Sequence, residues 1–305
     1  MRVTRTLLTD RALSALRESL GRMAKTQNQL GTARRINVLS DDPADCSTAT
    51  RLTARVATLD QYDRQATAAQ APLTATNDLL DTLSGLSGRA QELAVAGANG
   101  GLGAGERAGM ATEVNQILEE VVGGGNTNEH GRDLLGGRET RTAPLTVTRN
   151  VNGDITAVTW NPRGVDGAID ATVSDGVTAQ TNVGGTAVLG ADTDPTFLPA
   201  LLIQLRDALN TNNQAGVSAV IDQFQTVTAR LSSAQSVVGS QLQTIDRATS
   251  ANDTARTAAK AALSAIADAD VAKVAVDLSQ QEAVYQAALY AASQAIQPSL
   301  LEFLK

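Results

Sequence analysis

Three groups of residues have types and spacing that invite chemistry. His130 is the only histidine and Cys46 the only cysteine. A thiol–imidazole pair would need them together, and no sequence feature joins two positions about eighty residues apart. His130 sits in a Gly-rich loop and reads as a solvated residue. The run "GANGGLGAGER" (97–107) has the glycines of a phosphate cradle. A phosphate loop needs a strand before it and a closing Lys-Ser or Lys-Thr. Here a helical pattern precedes the glycines and no such Lys follows, so a helix–helix turn is expected. Asp41, Asp42 and Asp45 offer carboxylates for a cation, yet "DDPADCSTATRL" lacks the central Gly and terminal Glu of a calcium loop. Helix capping is the expected use of these acids. Glu119 and Glu120 read as solvated helix face. No cofactor, metal or catalytic set is predicted, and the chain is not read as an enzyme.

The elements that carry these residues are mostly helical. Leu13, Leu16, Leu20, Met23, Gln27 and Leu30 follow a 3-4 spacing, a heptad seam with one polar member. Gly31 suits its C-terminal stop. Pro43 then opens a helix over 44–97, with Asp41 or Asp42 as N-cap. Its seam is Leu79, Leu83, Leu86, Ala90 and Leu93, and Pro72 predicts a kink or break near Ala71. A shorter helix carries Met110, Val114, Ile117 and Val121, and "GGGNTNEHGRDLLGGRE" breaks it.

From 138 to 196 the period falls to two. Hairpins are expected at Asn152-Gly153 and around Asp175-Gly176. Helices return after "DTDP". A stripe runs from Val217 through Phe224, Leu231 and Val238 to Ile245, and a last helix starts near Ala262. Its seam is Val271, Val274, Leu278, Gln281, Tyr285, Ala288, Ala292 and Ala295, beside a stripe of Leu289, Ile296 and Phe303. The expected fold is mainly α with a β insert. The N- and C-terminal segments pair as an antiparallel helical bundle or coiled coil, with a small β domain at the far end. The predicted domains are 1–40 with 262–305, 41–137 with 197–261, and 138–196.

Composition narrows the function. Aromatic content is 2% and Trp160 the only Trp, so Ala, Leu and Val must build the core. This suits thin bundles and coiled coils. Net charge is -7, against the basic footprint of nucleic-acid binders. No stretch approaches the roughly 18 apolar residues of a membrane span. "MRVTRTLLTDRALSAL" lacks the apolar core of a cleavable signal. The end segments are marginal alone: ordering costs about 1–2 kcal/mol per residue, and a buried Leu returns about 1.5–3 kcal/mol. Their seams therefore need a partner, with copies of the same chain or its relatives the first candidates. "QPSLLEFLK" adds Leu300, Leu301, Phe303 and Leu304 behind Pro298. These are expected to pack near Val3, Leu7 and Leu8 and on neighbouring copies.

Several segments resemble one family. "GTARRINVLSDDPAD", with Arg35, Ile36, Asn37, Ser40, Asp41, Asp42 and Pro43, resembles the N-terminal motif of the bacterial flagellin superfamily. Its "SDDP" form is closer to the hook-associated branch than to filament flagellin. "ELAVAGANGGLGAGERAGMATEVNQILEEV" is similar to the next block. "NEHGRDLLGG", with Gly131, Arg132, Gly136 and Gly137, resembles a hook-associated segment in which two aromatics stand where this chain has Asp133 and Leu135. "IADADVAKVAVDLSQQEAVYQAALYAASQAIQPSLLEFL" is similar to the family's C-terminal block.

The resemblance covers about 1–137 and 197–305. It implies a secreted, non-catalytic structural protein at the junction of hook apparatus and filament. Export would be unfolded, through the flagellar type III channel, without a cleaved signal. Implied partners are itself in a ring, the other hook-associated junction protein, flagellin, and an export chaperone on the C-terminal helix. The assembly interface is placed on Leu13, Leu16, Leu20, Met23, Leu30, Leu278, Tyr285, Leu289, Ile296, Leu300, Leu301, Phe303 and Leu304. Two other readings stay open: a filament flagellin of the same architecture, and a surface-binding adhesin using the β insert.

Overall fold

The computed structural model describes residues 2–296. Leu300, Leu301, Phe303 and Leu304 lie outside them, as do the side chains of Val3, Leu8 and Ile296. The element order is α1 (Arg2–Thr32), α2 (Pro43–Gly97), α3 (Ala104–Gly125), β1 (Asn128–Glu129), β2 (Arg132–Asp133), β3 (Leu145–Arg149), β4 (Ile155–Trp160), β5 (Asp170–Ser174), β6 (Val177–Gln180), α4 (Gly185–Leu189), α5 (Leu198–Asn210), α6 (Gln214–Ala267) and α7 (Val271–Ile296). The fold is mainly α with three small antiparallel hairpins, as the periodicities predict. The chain forms two compact units: 1–58 with 254–305, and 59–253.

The 59–253 unit has one contiguous apolar cluster. The predicted stripe of α6 supplies Val217, Val220, Phe224, Val227, Leu231, Ala234, Val238 and Ile245, all buried. Leu73, Leu80 and Leu83 of α2 and Val114, Leu118 and Val121 of α3 join them. The hairpins add Leu145, Ile155, Val158, Val173 and Ala179 to the same cluster, so their faces share the helices' core. β3 pairs with β4 in the register Leu145↔Trp160, and β5 with β6 as Ala171↔Ala179. Gly153 and Gly176 take the positive φ these turns require (91° and 69°). Trp160 donates from Nε1 to the Gly190 carbonyl at 2.8 Å, and its ring lies 5.6 Å from Phe197.

The other unit pairs α1 with α7. Hydrogen bonds from Ala269 N to Ala33 O (3.0 Å) and between Thr26 and Gln281 (3.0 Å) run in opposite chain directions, so the pair is antiparallel. The seam differs from the expected one on the α1 side, and on the α7 side at Val271, which is 48% exposed. Leu13 and Leu20 face solvent, 43% and 42% exposed, while Ser19 and Thr26 are buried. Leu16, Met23 and Leu30 stay half-buried, so the inward heptad is Ala12, Leu16, Ser19, Met23, Thr26, Leu30. Small side chains let the backbones approach, and this turns the Leu13–Leu20 edge outward.

Four further expectations are corrected. Of the kink or break expected near Ala71, the break is absent, since α2 runs through Pro72. Pro inside a helix costs about 3 kcal/mol, and burial of Ala69 and Leu73 on either side of it offsets that. α1 ends at Thr32, not Gly31, with Ala33 as the left-handed residue (φ 53°). The last helix starts at Val271, not near Ala262. Asp270 caps it by accepting from Lys273 N at 3.1 Å, and α6 fills the sequence up to Ala267. The glycines 123–125 belong to α3 rather than ending it. A Cβ at Gly125 would lie 2.5 Å from Leu145 Cδ1, so the close hairpin contact demands glycine there.

Candidate assembly surface and motif corner

The segment "ARRINVLSDDPAD" forms the corner between α1 and α2, where it meets the end of α6. Arg34 bridges to Asp268, and Arg35 N donates to the Ala267 carbonyl at 2.8 Å. The Arg35 side chain donates from Nε to Ile266 O at 3.0 Å, in the last turn of α6. Carbonyls there lack helical partners, and a cation suits the negative end of the helix dipole. The guanidinium also reaches Asp42 Oδ2 (3.4 Å) and pairs with Asp45. One side chain thus joins the end of α6 to the start of α2. These pairings, the one with Asp45 foremost, raise the pKa of Arg35.

The acids act as caps and turn anchors. Asp42 is the N-cap of α2 and accepts from Asp45 N at 3.1 Å, with Pro43 as the first helical residue. That bond is the first cause of its lowered pKa. Asp41 accepts from Asn37 N (3.0 Å) and Val38 N (3.1 Å) and pairs with Lys25 (3.1 Å). Its pKa is lowered, first by the Asn37 N–H. Asn37 donates from Nδ2 to Arg34 O at 3.2 Å. Ser40 is exposed and Ile36 half-buried. Cys46 is half-buried on the first turns of α2.

The second motif, "NEHGRDLLGG", folds as the β1–β2 hairpin and the turn after it. His130 and Gly131 form its tip with positive φ (52° and 80°). The imidazole is 84% exposed beside Glu129, as a solvated residue would be. Arg132 is exposed. Asp133 and Leu135 both pack inward: Asn128 Nδ2 donates to Asp133 Oδ1 at 3.0 Å, and Leu135 belongs to the core. Gly136 bridges to Gly184. Gly137 (φ 60°) leaves so little room that a Cβ would lie 2.5 Å from the Asp166 carbonyl oxygen. The 97–103 glycines form the turn between α2 and α3, with Glu106 accepting from Gly103 N at 2.7 Å.

Some buried polar groups escaped the sequence reading. Arg107, 4% exposed, donates to Gly97 O (2.8 Å) and Asn99 O (2.9 Å), closing the α2–α3 turn. Arg206 donates to Ile155 O at 2.8 Å. Asn252 donates to Val173 O at 2.8 Å, tying α6 to β5. An Arg in a Gly-rich turn was the only sequence hint of any of these.

The predicted interface residues divide in two. Leu16, Met23, Leu30, Leu278 and Tyr285 line the α1–α7 seam. Leu13, Leu20 and Leu289 face solvent, joined by Val276, Val284 and Tyr290 of α7. Among the described residues, the buried apolar ones of this unit are Ala259, Ala267, Val274 and Ala292, with no Leu or aromatic. No helix among them is long and apolar enough to cross a membrane.

This arrangement has known counterparts. Residues 5–140 match the family described as the bacterial flagellin N-terminal helical region. The chain also resembles flagellar hook-associated protein 3. That protein of Salmonella typhimurium is 28% identical over 146 residues, 48% of this chain and 46% of the relative. The chain thus matches about half the length of its curated relatives. In fold it is similar to a Vibrio parahaemolyticus protein assigned as flagellar hook-associated (TM-score 0.64, 22% identity, covering 74% of this chain and 99% of that one). It is likewise similar to the flagellar junction protein FlgL of Legionella pneumophila (TM-score 0.58, 13% identity, 72% and 100%). The resemblance read from "SDDP" and "GRDLLGG" is borne out.

Proposed function

We propose that this chain is a structural component of the bacterial flagellum, a hook-associated protein at the junction between hook apparatus and filament. Its terminal helices would join it to copies of itself in a ring, to the other hook-associated junction protein and to flagellin. An export chaperone would hold the C-terminal helix. The chain would leave the cell unfolded through the flagellar type III system and do no catalysis. The segments 1–40 with 262–305, 41–137 with 197–261, and 138–196 would be the inner, middle and outer layers of the assembly.

The observation that carries assembly is the poor core of the terminal unit. One small-residue seam leaves Leu13, Leu20, Leu289 and Tyr290 to water. Residues buried that thinly do not offset the ordering of two long helices, at about 1–2 kcal/mol per residue. A neighbouring surface that covers the exposed leucines would. The junction role rests on the likeness to hook-associated protein 3.

In a motile host, deleting the coding sequence should give hooks without attached filaments. Filaments attached normally would overturn the proposal. Abundance separates the junction from the filament: a junction subunit is a trace component of sheared filaments, a flagellin their main one.

A further inference from the structure

Beside the motif corner, a groove of about 520 Å³ opens between the 34–39 connection, the first turns of α2 and the end of α6. Ala54 and Leu263 lie on its lining, and Val38 and Leu39 are left 56% and 66% exposed at it. Its charged lining residues are Arg34 and Asp268. We propose that this groove receives residues 297–305 of a second copy of the chain. The inference rests on the reading of the chain as a self-assembling subunit and names the surfaces that meet.

The segment "QPSLLEFLK" brings Leu300, Leu301, Phe303 and Leu304 for the apolar lining. Its charges, Glu302 and Lys305, are opposite to those of Arg34 and Asp268. Reach decides which copy supplies it. α7 has 26 residues, about 39 Å at 1.5 Å each. Leu263, Ala267 and Asp268 of the groove lining precede the Val271 end of α7, so the helix leads the segment away from the groove by its own length. Nine residues span at most about 31 Å when fully extended. The segment therefore falls short of the groove of its own chain and comes within reach only of a neighbour's.

Cys46, the single cysteine, lines this groove and reports on it. Full-length wild-type chain is mixed with a size-tagged chain carrying Leu301→Cys and Cys46→Ser, and a short bismaleimide is added. The expected product is a mixed-chain adduct. Leu39→Asp at the exposed rim, or Ala54→Trp within the groove, each with Cys46 kept and an unchanged melting curve, should lower its yield at least about tenfold. An adduct unaffected by both variants overturns the proposal. So does a single-chain adduct formed within a chain that carries both Cys46 and Leu301→Cys. Wild-type chains that sediment as oligomers yet give no mixed adduct overturn the groove and leave the assembly reading standing. Chains that stay monomeric at every concentration overturn that reading as well.

Discussion

Arg35 Nε lies 3.0 Å from the carbonyl oxygen of Ile266, a residue 231 positions further along the chain. The contact explains why the motif carries an arginine here. The last carbonyls of α6 need donors, the first turn of α2 supplies Asp42 and Asp45, and only a forked cation satisfies both ends at once.

Arg35→Ala should therefore loosen the corner while leaving the 59–253 core intact. The side chain is 43% exposed, so its ion pairs count for little and the bond to the backbone dominates. The expected loss is about 1–2 kcal/mol. Faster hydrogen exchange at the amides of Arg35 and Ala269, with unchanged exchange at Leu83, would display it. Arg35→Lys should recover less than half, since an ammonium lacks the fork.

Acid should open the same corner. The pKa values of Asp41 and Asp42 are lowered by folding, so their stabilisation is fully present above the unfolded carboxylate value of about 3.9. It drains away as pH falls through the lower folded values. Proteolysis between 33 and 42 by an acid-active protease should rise below about pH 4. Asp41→Asn should raise cleavage at neutral pH and flatten the profile.

The outward leucines and the inward serine should behave oppositely. Leu13→Ser with Leu20→Ser changes exposed positions, so monomer stability should stay within about 0.5 kcal/mol while self-association falls. Ser19→Leu pushes a large side chain into a closed seam and should cost about 1–3 kcal/mol. Thermal melts and sedimentation on the same samples separate the two effects.

Two glycines of one motif predict different costs. Gly131→Ala meets only the positive-φ penalty, about 1–2 kcal/mol, because nothing lies within 4 Å of the new Cβ. Gly137→Ala adds a clash with the Asp166 backbone and should cost about 3 kcal/mol or more. Denaturant midpoints of the two variants test the difference.

Large apolar residues at helical spacing were legible in the sequence. The stripe from Val217 to Ile245, the span of α2 and both Gly-turned hairpins stand where periodicity puts them. Packing between small or polar side chains is not legible in that way. Ser19 and Thr26 carry no hydrophobic signal, so the heptad pattern points to Leu13 and Leu20 instead. The break at 268–270 lies in an Ala-rich run with no Gly or Pro to mark it. α5, with Leu201, Leu202, Leu205 and Leu209 buried, is followed by a turn at Thr211–Asn213 that carries no Gly or Pro to mark it. At the corner the capping acids were legible, whereas the partner of Arg35 was not, because no local pattern encodes a contact across 231 residues.

Trp160 is the only tryptophan, and it sits in the 59–253 unit, against Phe197 and bonded to Gly190. Intrinsic emission excited at the indole band is thus blind to the terminal helices, whereas far-ultraviolet ellipticity counts them. The molecule carries its own two-channel thermometer: a temperature or denaturant range in which ellipticity falls while emission holds steady reports helix lost away from Trp160, in the unit that holds α1, α7 and the adjoining ends of α2 and α6.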